Sequence, residues 1–136
     1  MYLLDTNVIS ELRTGKQNSS KQVLLWASNQ PSQLCYMSVI SLYELEFGVQ
    51  KLEARTPPEG KDLRQWLSGL VTFYRGRILP FEERMANPCA ALHFPKTRPL
   101  RDAMIAATAK AHGFTVVTRD TQDFDNMGVT LINPFL

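Results

Sequence analysis

Four carboxylates in this sequence stand where a fold could gather them. Asp5 follows the apolar run Tyr2-Leu3-Leu4 directly. Glu44 lies within Ser38–Gly48, on a stretch with Ile40 and Phe47 at neighbouring helical positions. Asp102 opens an alanine-rich segment, and Asp120 follows Val116-Val117-Thr118-Arg119, with Asp123 and Asp125 soon after. Carboxylates held together repel one another and shift upward in pKa unless a cation joins them. Hard divalent ions prefer such oxygens, and Mg²⁺ keeps waters that can do chemistry. A set of this kind suits metal-assisted hydrolysis of a phosphodiester.

Each acid also has a structural reading. Asp5 could cap the helix that follows, although Thr6 and Asn7 offer that service too. Ser41-x-x-Glu44 matches a capping box, yet Ser38 is better placed as the cap, which sets Glu44 in the second turn. Asp102 would favour the positive end of a helix dipole. Asp120 could serve a turn, and Asp123 competes with it for the inner place. Three of the four adjoin strand ends and the fourth lies on a helix leading off one, so convergence is the property that they share.

The elements that must position them alternate. Strands are expected at Tyr2–Leu4, Leu34–Met37, Arg77–Pro80, Thr115–Thr118 and Val129–Ile132. Helices are expected after a Thr6 or Asn7 cap to near Gly15, over Ser19–Asn29, from Ser38 to about Leu52, over Lys61–Tyr74 and over Leu100–His112, where Gly113 ends the run. Pro57 and Pro58 mark a loop at Thr56–Gly60, and Pro88 should bend or interrupt a helical Glu82–Phe94. Strands separated by helices imply parallel pairing with right-handed crossovers. The fold class is therefore α/β, a three-layer α/β/α sandwich on a mostly parallel five-stranded sheet. Such sheets bind ligands outside the C-terminal ends of their strands.

With 136 residues the chain fits a single domain, 1–136, and 44% hydrophobic residues suffice for a core. No apolar run approaches a membrane span, and the first residues do not read as a signal peptide, so a cytoplasmic location is expected. Cys35 and Cys89 belong to no zinc spacing and read as buried thiols; His93 and His112 are isolated and read as structural or surface residues. The net charge is only +2, but fifteen Lys and Arg face nine carboxylates once the four are set aside. A basic body around an acidic hole suits a polyanion. Arg13, Lys96, Arg98, Arg101 and Arg119 are candidates for phosphate contact. A phospho-receiver-like signalling module also uses strand-end acids and Mg²⁺, but it wants paired acids after the first strand and a lysine after the last. Here Asp5 stands alone, and the last strand leads into Asn133-Pro134.

Four segments, Leu4–Ser10, Ser38–Leu45, Arg101–Ala109 and Val117–Phe124, with the closing Ile132-Asn133-Pro134, resemble PIN-domain ribonuclease toxins of the VapC type. The resemblance spans essentially the whole chain. It implies a PIN-like fold and an endoribonuclease dependent on Mg²⁺ or Mn²⁺, with Asp5, Glu44, Asp102 and Asp120 as the acidic ligands and Asp123 as the alternative to the last. It implies that the hydroxyls of Thr6, Ser38 and Thr118 orient the carboxylates or a water. It further implies a structured RNA substrate, commonly tRNA, a cognate VapB-type antitoxin and a homodimer. A catalytically inactive PIN module that only binds a partner is the remaining alternative within the family.

Overall fold

The computed structural model describes all residues, Met1–Leu136. Its strands are β1 (Tyr2–Leu4), β2 (Cys35–Ser38), β3 (Ile78–Leu79), β4 (Thr115–Val117) and β5 (Leu131–Ile132). Its helices are α1 (Thr6–Glu11), α2 (Lys21–Ser28), α3 (Val39–Arg55), α4 (Pro57–Phe73), α5 (Ala86–Ala91) and α6 (Leu100–His112). Single 3₁₀ turns precede β2 and α5.

The sheet runs β3-β2-β1-β4-β5 and every pairing is parallel. The mostly parallel expectation is met in full. Side chains alternate between faces along each strand, and the core divides accordingly. Leu4 and Val117 face one side with Val8 and Ile9 of α1, Val23 of α2, Leu45 and Val49 of α3 and Leu67 of α4. Leu3 and Val116, their immediate neighbours, face the other with Ile105, Ala106 and Ala109 of α6 and with Phe124 and Met127. Met85 and Cys89 then pack α5 onto Ala103 and Ala107. Three layers result, as the alternation of elements predicts.

Three local expectations are corrected. Pro57 and Pro58 do not form a loop: they open α4, where a proline's missing N–H has no intrahelical partner to lose. Pro88 sits in the first turn of α5 and is tolerated there for the same reason; the interruption falls earlier, at the junction with the 3₁₀ turn. Helix α1 stops at Glu11, short of Gly15. Gly113 ends α6 in the left-handed region at φ 69°, as a C-cap glycine should. Cys35 and Cys89 are both buried and free. No helix is long and apolar enough to cross a membrane.

Candidate active site

The strand order places a topological switch between β1 and β4. The chain leaves β1 towards β2 and leaves β4 towards β5, in opposite directions across the sheet. A crevice opens at the C-terminal ends of two such strands. Asp5 is the first residue after β1, and its N–H donates to Val117 O at 2.9 Å, fixing it beside the end of β4.

Asp5 is buried, 5% exposed. It is also the N-cap of α1, accepting from Thr6 N at 2.8 Å through Oδ1. Thr6 and Asn7 are inside that helix and do not cap it, so Asp5 serves both as cap and as site residue. Its Oδ2 accepts from Thr118 Oγ1 at 2.7 Å and from Asn7 Nδ2 at 3.2 Å. Burial pushes the Asp5 carboxyl above its ordinary pKa; donation from Thr118 and Thr6 opposes this, and the charges of Glu44 and Asp120 add to it.

Ser38 caps α3 by accepting from Ile40 N at 2.9 Å. The hydroxyl is therefore engaged by the backbone, and no bond runs from it to the carboxylates. Ser41 is buried within α3, so the Ser41-x-x-Glu44 box does not form. Glu44 reaches the site with Oε1 accepting from Thr6 Oγ1 at 2.9 Å and Oε2 facing Arg101 Nη1 at 3.4 Å.

Asp102 occupies the first turn of α6. Its carboxyl is pushed up to about 7, first by burial and then by the charges of Asp5, Asp123, Glu44 and Asp120. All five acids named from the sequence thus act on one point. Asp120 Oδ2 accepts from Asn7 Nδ2 at 3.1 Å, while Asp120 N donates to Thr118 Oγ1 at 2.9 Å. Asp120 faces Asp5, and Asp123 bears more strongly on Asp102 than Asp120 does.

The donor set is all carboxylate oxygen, with a surplus of negative charge and no nitrogen or sulfur ligand, which fits a hard divalent cation. The side chains as they stand do not close into a three-ligand cage. Asp5 is engaged by Thr118 and Asn7, and Glu44 leans towards Thr6 and Arg101.

Asn7 is the residue that sequence reasoning missed. One amide spans Asp5, Thr118 (3.4 Å) and Asp120, and its Oδ1 accepts from Arg119 N at 3.2 Å. It ties the β1 end to the β4 end, a role visible only once those strands are known to be neighbours. Among the basic candidates, Arg13 and Arg101 line the hollow beside Glu44, and Arg119 lines the one formed with Asp120 and Asp123. Arg98 departs from expectation: its Nη1 donates to Asp125 O and its Nε is buried, so it clamps the loop onto the chain. Lys96 is exposed.

Comparison with known proteins supplies the family. The family profile for the PIN domain matches residues 2–129. The chain belongs to the PIN-domain family. Among curated PIN relatives, "VapC ribonuclease Y4jK" of Sinorhizobium fredii is 38% identical over 99% of this chain and 98% of its own length. "Toxin FitB" of Neisseria gonorrhoeae is 37% identical over 99% of both. The crystal structure of FitAcB from Neisseria gonorrhoeae superposes with a TM-score of 0.88 at 36% identity, covering 99% of each chain. The PIN fold and its VapC-type character are thereby established for this chain.

Proposed function

We propose that this PIN-domain protein is a divalent-metal-dependent endoribonuclease, the toxin half of a toxin–antitoxin pair, acting in the cytoplasm on structured RNA, with tRNA the first substrate to test. The observation that carries the reading is the convergence of Asp5, Glu44, Asp102, Asp120 and Asp123 at the switch point of the sheet. The names of the VapC and FitB relatives support it.

Asp5 and Asp102 would hold Mg²⁺ or Mn²⁺, with Glu44 and either Asp120 or Asp123 completing the set through water. The bound ion supplies Lewis acidity at the phosphoryl oxygen and a lowered pKa for water. Thr118 and Asn7 fix the rotamer of Asp5, and Thr6 fixes that of Glu44. The outer carboxylates orient the attacking water and accept its proton. Water adds to phosphorus, the bond to O3′ breaks, and the products carry a 5′-phosphate and a 3′-hydroxyl.

Purified protein incubated with tRNA and Mg²⁺ should give discrete fragments, stopped by EDTA. Asp5→Asn should lower the rate by at least about 100-fold, the scale set by losing a principal charge at such a site. Cleavage that survives EDTA, or 2′,3′-cyclic phosphate ends, would overturn the mechanism. A folded wild-type protein that binds its antitoxin but cuts no RNA would identify an inactive binding module.

The antitoxin is expected to be VapB-like, since relatives of this fold are found in complexes such as FitAcB. A homodimer is proposed on a separate observation. Tyr43 and Phe47 are more than half exposed on one face of α3, their ring centroids 6.3 Å apart, with the half-exposed Arg101 lying over Tyr43 and exposed Leu100 beside it in the chain. Exposed aromatic surface of this kind suits an interface.

A further inference from the structure

Beside the acidic cluster lies a hollow of about 430 Å³, within the range of small-ligand sites. Thr6, Glu44 and Arg101 belong to both, so the two spaces are continuous. Its wall is apolar, formed by Leu45, Val49, Leu63 and the indole of Trp66. Its lining also includes Arg13, Lys16 and Arg101; Lys16 Nζ pairs with Glu11 at 3.1 Å and Arg101 Nη1 faces Glu44 at 3.4 Å.

Gly48 also lines it, in the interior of the seventeen-residue helix α3. Glycine there destabilises a helix by roughly 0.5–1 kcal/mol relative to alanine. Packing does not require it, because a Cβ at Gly48 would meet no atom within 4 Å. Gly60 is the contrast, since a Cβ there would come within 2.6 Å of the Glu53 backbone. What the missing side chain at Gly48 does is leave the hollow open.

We propose that this hollow seats a nucleobase of the RNA strand, from the nucleotide adjoining the bond to be cut; the proposal rests on the ribonuclease reading above. A base presents a flat apolar face, which suits Trp66 and its aliphatic neighbours, and polar edges within reach of the Thr6 and Ser10 hydroxyls. The flanking phosphates would lie against the basic side chains of the lining, Arg13 foremost, since Lys16 and Arg101 each already face a carboxylate. RNA is read in this way, by unstacked bases laid on aromatic side chains with cations along the backbone. Three basic side chains against the single carboxylate of the lining, Glu44, are what favour a nucleotide over an apolar peptide as occupant.

The test uses full-length protein and an oligoribonucleotide that it cuts at one mapped bond. Gly48→Leu fills the hollow at an exposed helical position and should leave the fold intact. It should raise KM by about ten-fold or more, the scale of losing one base–aromatic contact. Replacing the adjoining nucleotide with an abasic one should do the same to the wild type and add nothing further in Gly48→Leu. Gly69→Leu, which enters the neighbouring hollow on the other side of Trp66, should leave KM unchanged. Additive losses, an unchanged KM in Gly48→Leu, or an equal loss in Gly69→Leu would overturn the proposal while leaving the ribonuclease reading in place. Loss of antitoxin binding with unaltered cleavage would identify a protein-docking site and refute the base subsite. Absence of cleavage by the wild type would instead remove both readings.

Discussion

Without a divalent ion, Asp102 must ionise while partly buried, and against four neighbouring carboxylates. Its pKa of about 7 is a statement about stability as well as chemistry. A carboxyl raised above its unfolded value of about 3.9 stabilises the fold when protonated. That contribution is complete below about pH 4 and is lost as the pH rises through about 7. The metal-free protein should therefore melt at lower temperature at about pH 8 than at about pH 5. Asp102→Asn should remove most of the difference, on the order of 2 kcal/mol at pH 8 after solvent screening is allowed for. Mg²⁺ added to the wild type at that higher pH should restore the melting temperature, because a ligand that binds only the folded state stabilises it. Thermal melts in EDTA across this range decide the matter. A flat wild-type profile would show that Asp102 is not held in the buried, acidic setting described.

At the scale of elements, α3 and α4 form a hairpin whose closeness depends on Gly60. The helices meet there tightly enough that a methyl group would strike the Glu53 backbone, and Arg64 bridges Glu46 and Glu53 at 2.8 and 2.9 Å across the same seam. Gly60→Ala should destabilise the protein by about 1–3 kcal/mol, the usual effect of overpacking. Gly48→Ala should stabilise it by about 0.5–1 kcal/mol, the helix-propensity gain at a free position. Urea unfolding of the two variants should give shifts of opposite sign; a common sign would refute the packing account. These two glycines look alike in the sequence, and only the tertiary contact separates them. The same division runs through the rest of the chain. Strands and helices are legible because apolar periodicity is local, as in the β-rich run Thr115–Thr118 and the alanine repeat of α6. Pro57, Pro58 and Pro88 mislead because proline breaks a helix or begins one according to its place in the first turn. Asp5 and Asp120 are legible by their position after strands, Glu44 and Asp102 by their places early in α3 and α6. Asn7 is not, because its partners Asp120 and Thr118 lie over a hundred residues away. Ser38 looks available to the acids, but its nearer obligation is the α3 backbone.

For the whole molecule, the outstanding feature is the apolar surface that α3 and the start of α6 leave uncovered. Tyr43 and Phe47 occupy positions four apart on α3, so one helix face presents both rings. Leu100, the first residue of α6, is 63% exposed and precedes the Arg101 that lies over Tyr43. Burying this surface against a second copy would remove three large apolar side chains from water at about 25 cal/mol per Å² of area. A symmetric pairing is the expected form, since the same patch then serves both partners. Phe47→Glu places a charge in the middle of it. Phe47 is 55% exposed in the single chain, so the substitution should leave the fold and its melting intact. Sedimentation velocity at tens of micromolar should show a dimer for the wild type and a monomer for Phe47→Glu. A wild-type monomer, or a variant that still dimerises, would place the interface elsewhere or abolish it. Because Glu44 and Arg101 are chain neighbours of Tyr43 and Leu100, a partner seated on this patch also borders the acidic cleft. Monomeric Phe47→Glu should then lose more activity on folded RNA than on a short oligonucleotide, which engages the cleft of one protomer alone.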